Sequence, residues 1–135
     1  MTAVTWLLAF GLVLFISGSL IAIILFSSSL QPKNEANAIA NIRKINAAQE
    51  NYLSSAHRYG SLQELVNARL VDRRLLEQNA GYRLQIETQK DGYMVLASAL
   101  TFGGRYDYYS FTDAVVRYSS DSRKAPPGLS TAPVN

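Results

Sequence analysis

The chain opens with a long apolar run that contains no charged, amide or proline side chain. The run extends from Ala3 to Phe26, and the first charged residue is Lys33. A bilayer core about 30 Å thick requires roughly 20 apolar residues in a helix, because each residue adds about 1.5 Å. The pattern therefore predicts one membrane-spanning helix within residues 1–30, in contact with membrane lipid. A cleaved signal peptide and a buried helix of a soluble protein are the alternatives, although the run is long for a signal peptide and no basic residue precedes it.

A second helical pattern follows, with apolar residues on one side only. Pro32 is expected to end or kink the first helix, because proline lacks a backbone donor and disfavours a helical residue before it. The pattern from Lys33 to Tyr59 predicts an amphipathic helix, and Gly60 is expected to form its left-handed cap. The stripe, at spacings of three and four and apolar except for Gln49, consists of Ala38, Ile42, Ile45, Gln49, Tyr52 and Ala56, widened by Ile39 and Leu53. Ile42, Ile45 and Tyr52 are the predicted helix–sheet core.

Two short helical segments are predicted from their capping residues. Ser61 and Glu64 have the spacing of a capping box, in which the hydroxyl and the carboxylate each accept a backbone N–H of the first turn. This motif predicts a short helix that ends near Ala68. Asp72 is expected to cap another helical turn over residues 73–78.

Beyond Gly81 apolar and polar residues alternate, which is the period of a strand with one solvated face. Short turn sequences separate the segments, among them Asp91-Gly92, whose residues tolerate the positive φ of tight hairpins. The predicted strands are residues 82–88, 93–99, 105–111 and 114–118, and the short connections favour an antiparallel meander. The polar, proline-rich residues 121–135 are predicted to be a flexible tail. The expected fold class is α+β: a long N-terminal helix, membrane-spanning and then amphipathic, packed on a small sheet of three or four strands within a domain of residues 31–120.

The amino-acid composition gives little indication of a catalytic or metal-binding site. The formal net charge is +3, and the chain has no cysteine and one histidine, His57. A cysteine-based zinc site is therefore excluded, and His57 has no second ligand at metal-binding spacing, so a surface or capping role is expected for it. Glu35 and Glu50 stand isolated on the helix and are expected to be solvated. The sequence predicts no catalytic residue, no cofactor, no metal site and no enzymatic activity.

The tyrosines are the unusual feature of the last strands. Alternation places Tyr106 and Tyr108 on one face of the third strand, and Tyr109 with Phe111 on the other. Ordinary sheet packing is the simplest explanation, because tyrosine is favoured in strands. The functional alternative is that Tyr106 and Tyr108 form an aromatic face for a partner subunit, a glycan or single-stranded nucleic acid.

The order of these elements resembles that of the type IV pilins and the pseudopilins of type II secretion. The resemblance covers about residues 35–118 and is carried by ANAIANIRKINAAQENYLSSAHRYGSLQELV, GYRLQIETQKDGYMVLA and AVVRY. It implies a pilin-like fold and a structural, non-catalytic role as a minor pilin or pseudopilin-like subunit of a pilus, secretion or competence apparatus. The implied partners are other pilin-like subunits or assembly proteins. The alternative is a membrane-anchored binding module that does not polymerise and holds a ligand on its sheet.

The resemblance also implies a location, a single-pass protein of the bacterial inner membrane with its C-terminal domain on the periplasmic or extracytoplasmic side. Basic residues after the apolar run, Lys33 first, would by charge alone favour the opposite orientation. The chain departs from the pilin pattern in having no basic leader and no acidic residue before Glu35. Contacts between spans would then depend on small residues, which let helix backbones approach closely. The predicted assembly interface consists of Gly11, Ser17, Gly18 and Ser19.

Overall fold

The computed structural model describes residues 3–77, 80–101 and 103–119, with side chains described from residue 30 onward. The chain divides into two compact units, Met1–Leu30 and Gln31–Asn135. Within the described residues that were searched, no helix has both the length and the apolar character needed to cross a bilayer. The structure does not describe the side chains of the predicted span, so the predicted assembly interface of Gly11, Ser17, Gly18 and Ser19 lies outside the described residues. The predicted tail, residues 121–135, lies outside them as well.

Helix α1 spans Ala3–Ala56 and contains Pro32. Of the two expected effects of Pro32, an end to the helix is therefore wrong, and a kink stays a prediction. A proline inside a helix removes one backbone hydrogen bond, and the neighbouring Asn34 and Glu35 side chains both bond to the loop that precedes the third strand. These tertiary contacts favour the helical conformation on the C-terminal side of Pro32.

The end of α1 differs from the expected cap. His57, not Gly60, adopts the left-handed conformation, with φ of 55°, and its N–H donates to the Leu53 carbonyl. His57 is exposed, which agrees with a capping role. Gly60 is buried three residues later and has no positive φ. Glycine at this position instead allows the Tyr52 ring to lie close to the backbone, because a Cβ added at Gly60 would be 3.0 Å from that ring.

The connection to the sheet contains helix α2, Leu62–Asn67, and a 3₁₀ helix, Arg73–Leu76. The capping box is confirmed, since Ser61 accepts the Glu64 N–H and Glu64 accepts the Ser61 N–H. Asp72 caps the 3₁₀ helix by accepting the Arg74 N–H at 2.8 Å. Leu65 and Leu75 are buried in the core.

Four strands follow: β1 Tyr82–Gln89, β2 Gly92–Ala99, β3 Asp107–Phe111 and β4 Arg117–Ser119. They pair antiparallel in the order β1-β2-β3-β4, which confirms the predicted meander. Gln89 pairs with Gly92, so the first loop consists of Lys90 and Asp91. Neither Asp91 nor Gly92 has a positive φ, and that part of the turn prediction is wrong.

β3 and β4 are shorter than predicted because tertiary bonds occupy their expected first residues. The N–H of Arg105 donates to the Glu35 carboxylate instead of to a strand. Ala114 takes a left-handed conformation with φ of 57°, and its carbonyl accepts the Asn46 amide. Both contacts join α1 to a loop that flanks β3.

The sheet packs one face against the C-terminal part of α1, which establishes an α+β arrangement. The core is one cluster of buried residues from α1, α2, the 3₁₀ helix, the sheet and the loop before β4. Its members are Ala38, Ile42, Ile45, Ala48, Leu62, Leu65, Leu75, Tyr82, Leu84, Tyr93, Val95, Ala97, Tyr108 and Val116.

Candidate functional site

The centre of the helix–sheet interface is apolar. Ile42 and Ile45 are both 0% exposed and belong to the core. Tyr52 packs against this core but is only half-buried, so the prediction of its full burial is wrong. Because the chain reverses after His57, the Tyr52 ring lies against the Gly60 backbone, with the Arg58 guanidinium 5.5 Å from its centroid.

Polar side chains of α1 border this apolar centre. Asn46 Oδ1 accepts the hydroxyls of Ser110 at 2.8 Å and Tyr93 at 3.2 Å, while its Nδ2 donates to the Ala114 carbonyl. The Asn46 side chain therefore binds two strands and the loop after β3. An amide can both donate and accept, which suits it to a position that faces hydroxyls and a carbonyl together.

Gln49 forms a two-way clamp on the chain that follows α1. Its Nε2 donates to the Gly60 carbonyl at 2.6 Å, and its Oε1 accepts the Gly60 N–H at 2.9 Å. Both Gln49 and Gly60 are buried. The clamp thus satisfies two backbone groups that water cannot reach and fixes the position of the loop before α2.

Glu35 forms the equivalent contact near the other end of the interface. Its carboxylate accepts the Arg105 N–H at 2.8 Å, Arg105 Nε at 3.0 Å and Arg105 Nη2 at 2.9 Å. The adjacent Asn34 donates to the Gly103 carbonyl at 2.9 Å. We refer to the Glu35–Arg105 and Asn34–Gly103 contacts as the loop clasp, because both hold the β2–β3 loop against α1.

The electrostatics of the loop clasp follow from unequal burial. The Glu35 side chain is 7% exposed and that of Arg105 is 56% exposed. Hydrogen bonds from the Arg105 guanidinium lower the pKa of Glu35, against the opposing effect of burial. The prediction that Glu35 is solvated is therefore wrong: it is a buried, ionised carboxylate whose counterion is at the surface.

Glycines allow the β2–β3 loop to lie close to the start of β1. Gly81 has φ of 77°, and a side chain at Gly103 would collide with the Gly81 carbonyl. A side chain at Gly104 would collide with the Tyr82 hydroxyl, which donates to the Tyr106 carbonyl at 2.8 Å. The loop is thus held on both sides, by α1 and by β1, and this places Tyr106.

A pocket lies beside the loop clasp and is lined by Glu35, Arg105, Tyr106, Tyr108 and Tyr118, with a volume of about 220 Å³. We call it the tyrosine pocket. The Tyr106 ring centroid is 5.2 Å from that of Tyr118 at an interplanar angle of 60°, and 6.5 Å from that of Tyr108 at 80°. Edge-to-face contacts of this kind match the ring quadrupoles and set the rings at an angle to one another.

The tyrosines predicted as a partner face differ in exposure. Tyr106 is half-buried, whereas Tyr108 is 5% exposed, and burial raises the pKa of Tyr108 to about 12. Both line the tyrosine pocket and so share one face, as alternation predicted, and their role as a partner face stays a prediction. Tyr109 is buried, and its ring centroid lies 5.9 Å from that of Phe111. Tyr118, which had no assigned role in the sequence analysis, completes the pocket through its pairing with Tyr108 across β3 and β4.

Across the described residues searched, no group of three or more histidine, aspartate or glutamate side chains is arranged to hold a metal ion. The buried carboxylate of Asp107 accepts the Ala99 N–H at 2.7 Å, and burial raises its pKa. This contact extends the pairing of β2 with β3 beyond the last paired residues. We assign Asp107 a structural role on this geometry.

Comparison with known proteins provides no family for this chain. No protein-family model matches it, and no curated protein is significantly similar in sequence. The site must therefore be interpreted from its own geometry.

Sequence reasoning missed Asn34, Asn46 and Arg105, and it assigned Glu35 to solvent. Helical spacing contained part of the signal, because Glu35 lies seven residues before the buried Ile42 and Asn46 lies four residues after it, which places all three on one face of the helix. Their partners lie in strands and loops far along the chain, and no local motif identifies them.

Proposed function

We propose that the protein is a membrane-anchored, pilin-like structural subunit, a minor pilin or pseudopilin-like component of a type IV pilus, secretion or competence apparatus. It would be a single-pass protein of the bacterial inner membrane, with its α+β domain on the periplasmic or extracytoplasmic side. The observation that carries the proposal is the order of elements: one long N-terminal helix, a short helical connection, then an antiparallel meander packed on that helix.

The two faces of α1 in the domain support a role in lateral contacts. One face is filled by the core and by the polar contacts of Glu35, Asn46 and Gln49. The opposite face is exposed and polar, and it includes Asn37, Lys44, Asn51 and Ser55. A helix that is occupied on one side and available on the other suits a subunit that contacts neighbours without losing its own fold.

The uncharged run Ala3–Phe26 supports anchoring, since its length and composition fit a bilayer span. Within it, the small residues Gly11, Ser17, Gly18 and Ser19 offer positions at which neighbouring spans could pack closely. Leucine at position 18 would remain favourable in lipid but would fill the space that a close helix contact requires. A substitution at position 18 therefore tests assembly without removing the membrane anchor.

Cysteine crosslinking from position 18 tests this proposal. The chain has no cysteine, so Gly18→Cys introduces the only thiol. In membranes from cells that also express candidate pilin-like subunits with a cysteine introduced in their own spans, a mild oxidant should form disulfide crosslinks to those subunits or to a second copy. The crosslinked protein should resist alkaline carbonate extraction. Asp91→Cys, in the exposed first hairpin, is the matched control and should give few crosslinks. Gly18→Leu should abolish co-purification with those subunits and leave the chain in the membrane.

The tyrosine pocket favours a second function, that of an anchored binding module that does not polymerise. That function predicts a strictly monomeric product from Gly18→Cys and no effect of Gly18→Leu. It also predicts that Tyr106→Ala or Tyr108→Ala removes ligand binding. A monomeric product together with loss of ligand binding in Tyr106→Ala or Tyr108→Ala would replace the assembly proposal by this one.

A further inference from the structure

We propose that the tyrosine pocket binds one neutral sugar ring. This inference goes beyond the structural role proposed above and does not depend on it. It rests on the ring geometry, charge, polar groups and size of the pocket formed by Glu35, Arg105, Tyr106, Tyr108 and Tyr118.

The aromatic walls suit a ligand with C–H groups. The plane of the Tyr106 ring is inclined at 60° to that of Tyr118 and at 80° to that of Tyr108. The three rings therefore do not stack face to face. The face of an aromatic ring is electron-rich and attracts the positive edge of C–H bonds. One side of a pyranose ring presents such C–H bonds in a nearly flat array, and it can pack on the half-buried ring of Tyr118.

The charge of the pocket favours a neutral ligand. Glu35 is ionised, and the Arg105 guanidinium neutralises it through two side-chain hydrogen bonds. The same guanidinium lies 5.3 Å from the centroid of Tyr106. The cation–π position on Tyr106 is thus already occupied by Arg105, and an added cation would meet a positive charge. For an anion, the charge of the guanidinium is already balanced by the Glu35 carboxylate, so the pair offers no net charge to either sign of ligand.

The polar groups of the pocket suit hydroxyls. A guanidinium has five N–H donors, and Arg105 uses its Nε and Nη2 on Glu35. Tyrosine hydroxyls both donate and accept, and those of Tyr106 and Tyr118 belong to half-buried side chains at the pocket. A ligand with several hydroxyls around an otherwise aliphatic ring is complementary to this mixture of aromatic faces and neutral polar groups.

The pocket is open to solvent, and its volume matches about one sugar ring. Its volume of about 220 Å³ is below the range of roughly 300–1,000 Å³ that is usual for drug-sized ligands. A free monosaccharide and the terminal residue of a glycan both present the required ring. Comparing methyl glycosides with longer oligosaccharides that end in the same sugar distinguishes these two sources.

Saturation-transfer NMR on the full-length chain tests the proposal, in a detergent whose headgroup carries neither sugar nor charge. The probes are methyl glycosides of common hexoses and N-acetylhexosamines, with tetramethylammonium and a nucleoside monophosphate as competing classes. We expect transfer to at least one glycoside, strongest at its ring C–H protons. Tyr118→Ala should weaken that binding by roughly tenfold or more, as expected when a stacking ring is removed.

Tyr59→Ala is the matched control, because Tyr59 is a half-buried tyrosine that contacts Tyr93 and does not line the pocket. It should leave the affinity unchanged. If Tyr118→Ala fails to fold, as shown by circular dichroism, Tyr118→Phe replaces it: the ring is kept, and loss of the hydroxyl should weaken binding, whereas Tyr59→Phe should leave it unchanged. Absence of transfer to every glycoside, preferential binding of either competing class, or equal losses in Tyr118→Ala and Tyr59→Ala would overturn the proposal.

Discussion

The centre and the two ends of the helix–sheet interface are held by different interactions. At the centre, Ile42 and Ile45 are completely buried and contribute by removal of apolar surface from water. At the ends, Glu35 and Gln49 bind backbone and side-chain groups of loops by directed hydrogen bonds. The apolar centre contributes a large stabilising free energy that does not depend on the orientation of the groups. The hydrogen bonds at the two ends are directional and fix the position of α1 along the sheet.

This division has a consequence for substitutions. An apolar contact that is truncated loses area and leaves a cavity, which costs a large amount of free energy. A buried polar contact that loses one partner leaves the other without its hydrogen bond, and the cost depends on whether water can replace it. The largest effects are therefore expected at the centre, and the most context-dependent ones at the ends.

Ile45→Ala is expected to have the largest effect. It should lower the free energy of unfolding by roughly 2–5 kcal/mol, the range for truncating a fully buried aliphatic side chain. Lys44→Ala, at the exposed neighbouring position, should cost well under about 1 kcal/mol. Denaturant titration of both variants in detergent micelles, monitored by circular dichroism, measures the difference. Equal losses would mean that α1 presents a different face to the sheet.

Gln49→Ala should have the next largest effect, because it removes both partners of the buried Gly60 backbone. A loss of roughly 1–3 kcal/mol is expected for the unsatisfied groups. Gln49→Glu sharpens the measurement: an ionised carboxylate cannot donate to the Gly60 carbonyl, but a protonated one can. Stability of this variant should therefore recover as the pH falls.

The control for the clamp is Glu50→Gln, which changes charge by one at an exposed neighbouring position. It should alter stability little. If Gln49→Glu were as stable as the parent chain at neutral pH, the two-way bond to Gly60 would not be what holds the loop before α2.

The same contrast explains what could be predicted from the sequence. Ile42 and Ile45 were found by spacing, and the cap formed by Ser61 and Glu64 by a motif within one helical turn. Such features depend on neighbours along the chain, and alternation similarly sufficed for the four-stranded meander.

Features that depend on distant partners were not predictable in this way. Glu35 and Arg105 are separated by 70 positions, and Asn46 and Ser110 by 64. The shortening of β3 and the left-handed Ala114 follow from these contacts. Alternation placed Tyr106 and Tyr108 on one face, which accounts for part of the tyrosine pocket. The contribution of Tyr118 could be recognised only from the register of β4, and that of Glu35 only from the position of α1.

The smallest losses of stability are expected at the loop clasp, and they should differ between its two charged partners. Arg105→Gln leaves the buried Glu35 carboxylate without its counterion, whereas Glu35→Gln leaves an arginine that is 56% exposed and can be hydrated. We therefore expect Arg105→Gln to lower the denaturation midpoint more than Glu35→Gln does, and both less than Ile45→Ala. Arg43→Gln removes a positive charge from an exposed position of α1 and is the control.

The pH dependence identifies which group is responsible. Arg105 lowers the pKa of Glu35 in the folded protein below its ordinary value of 4.5, so the folded state holds this proton less tightly than the unfolded state. The stabilisation is complete above about pH 4.5 and is lost as the pH falls through the lower folded-state pKa. The difference in stability between the parent chain and Glu35→Gln should thus shrink on acidification below pH 4.5, and Arg43→Gln should show no such change. A difference that is constant across this range would assign the effect to packing of the side chain, and a smaller loss in Arg105→Gln than in Glu35→Gln would mean that water reaches the carboxylate.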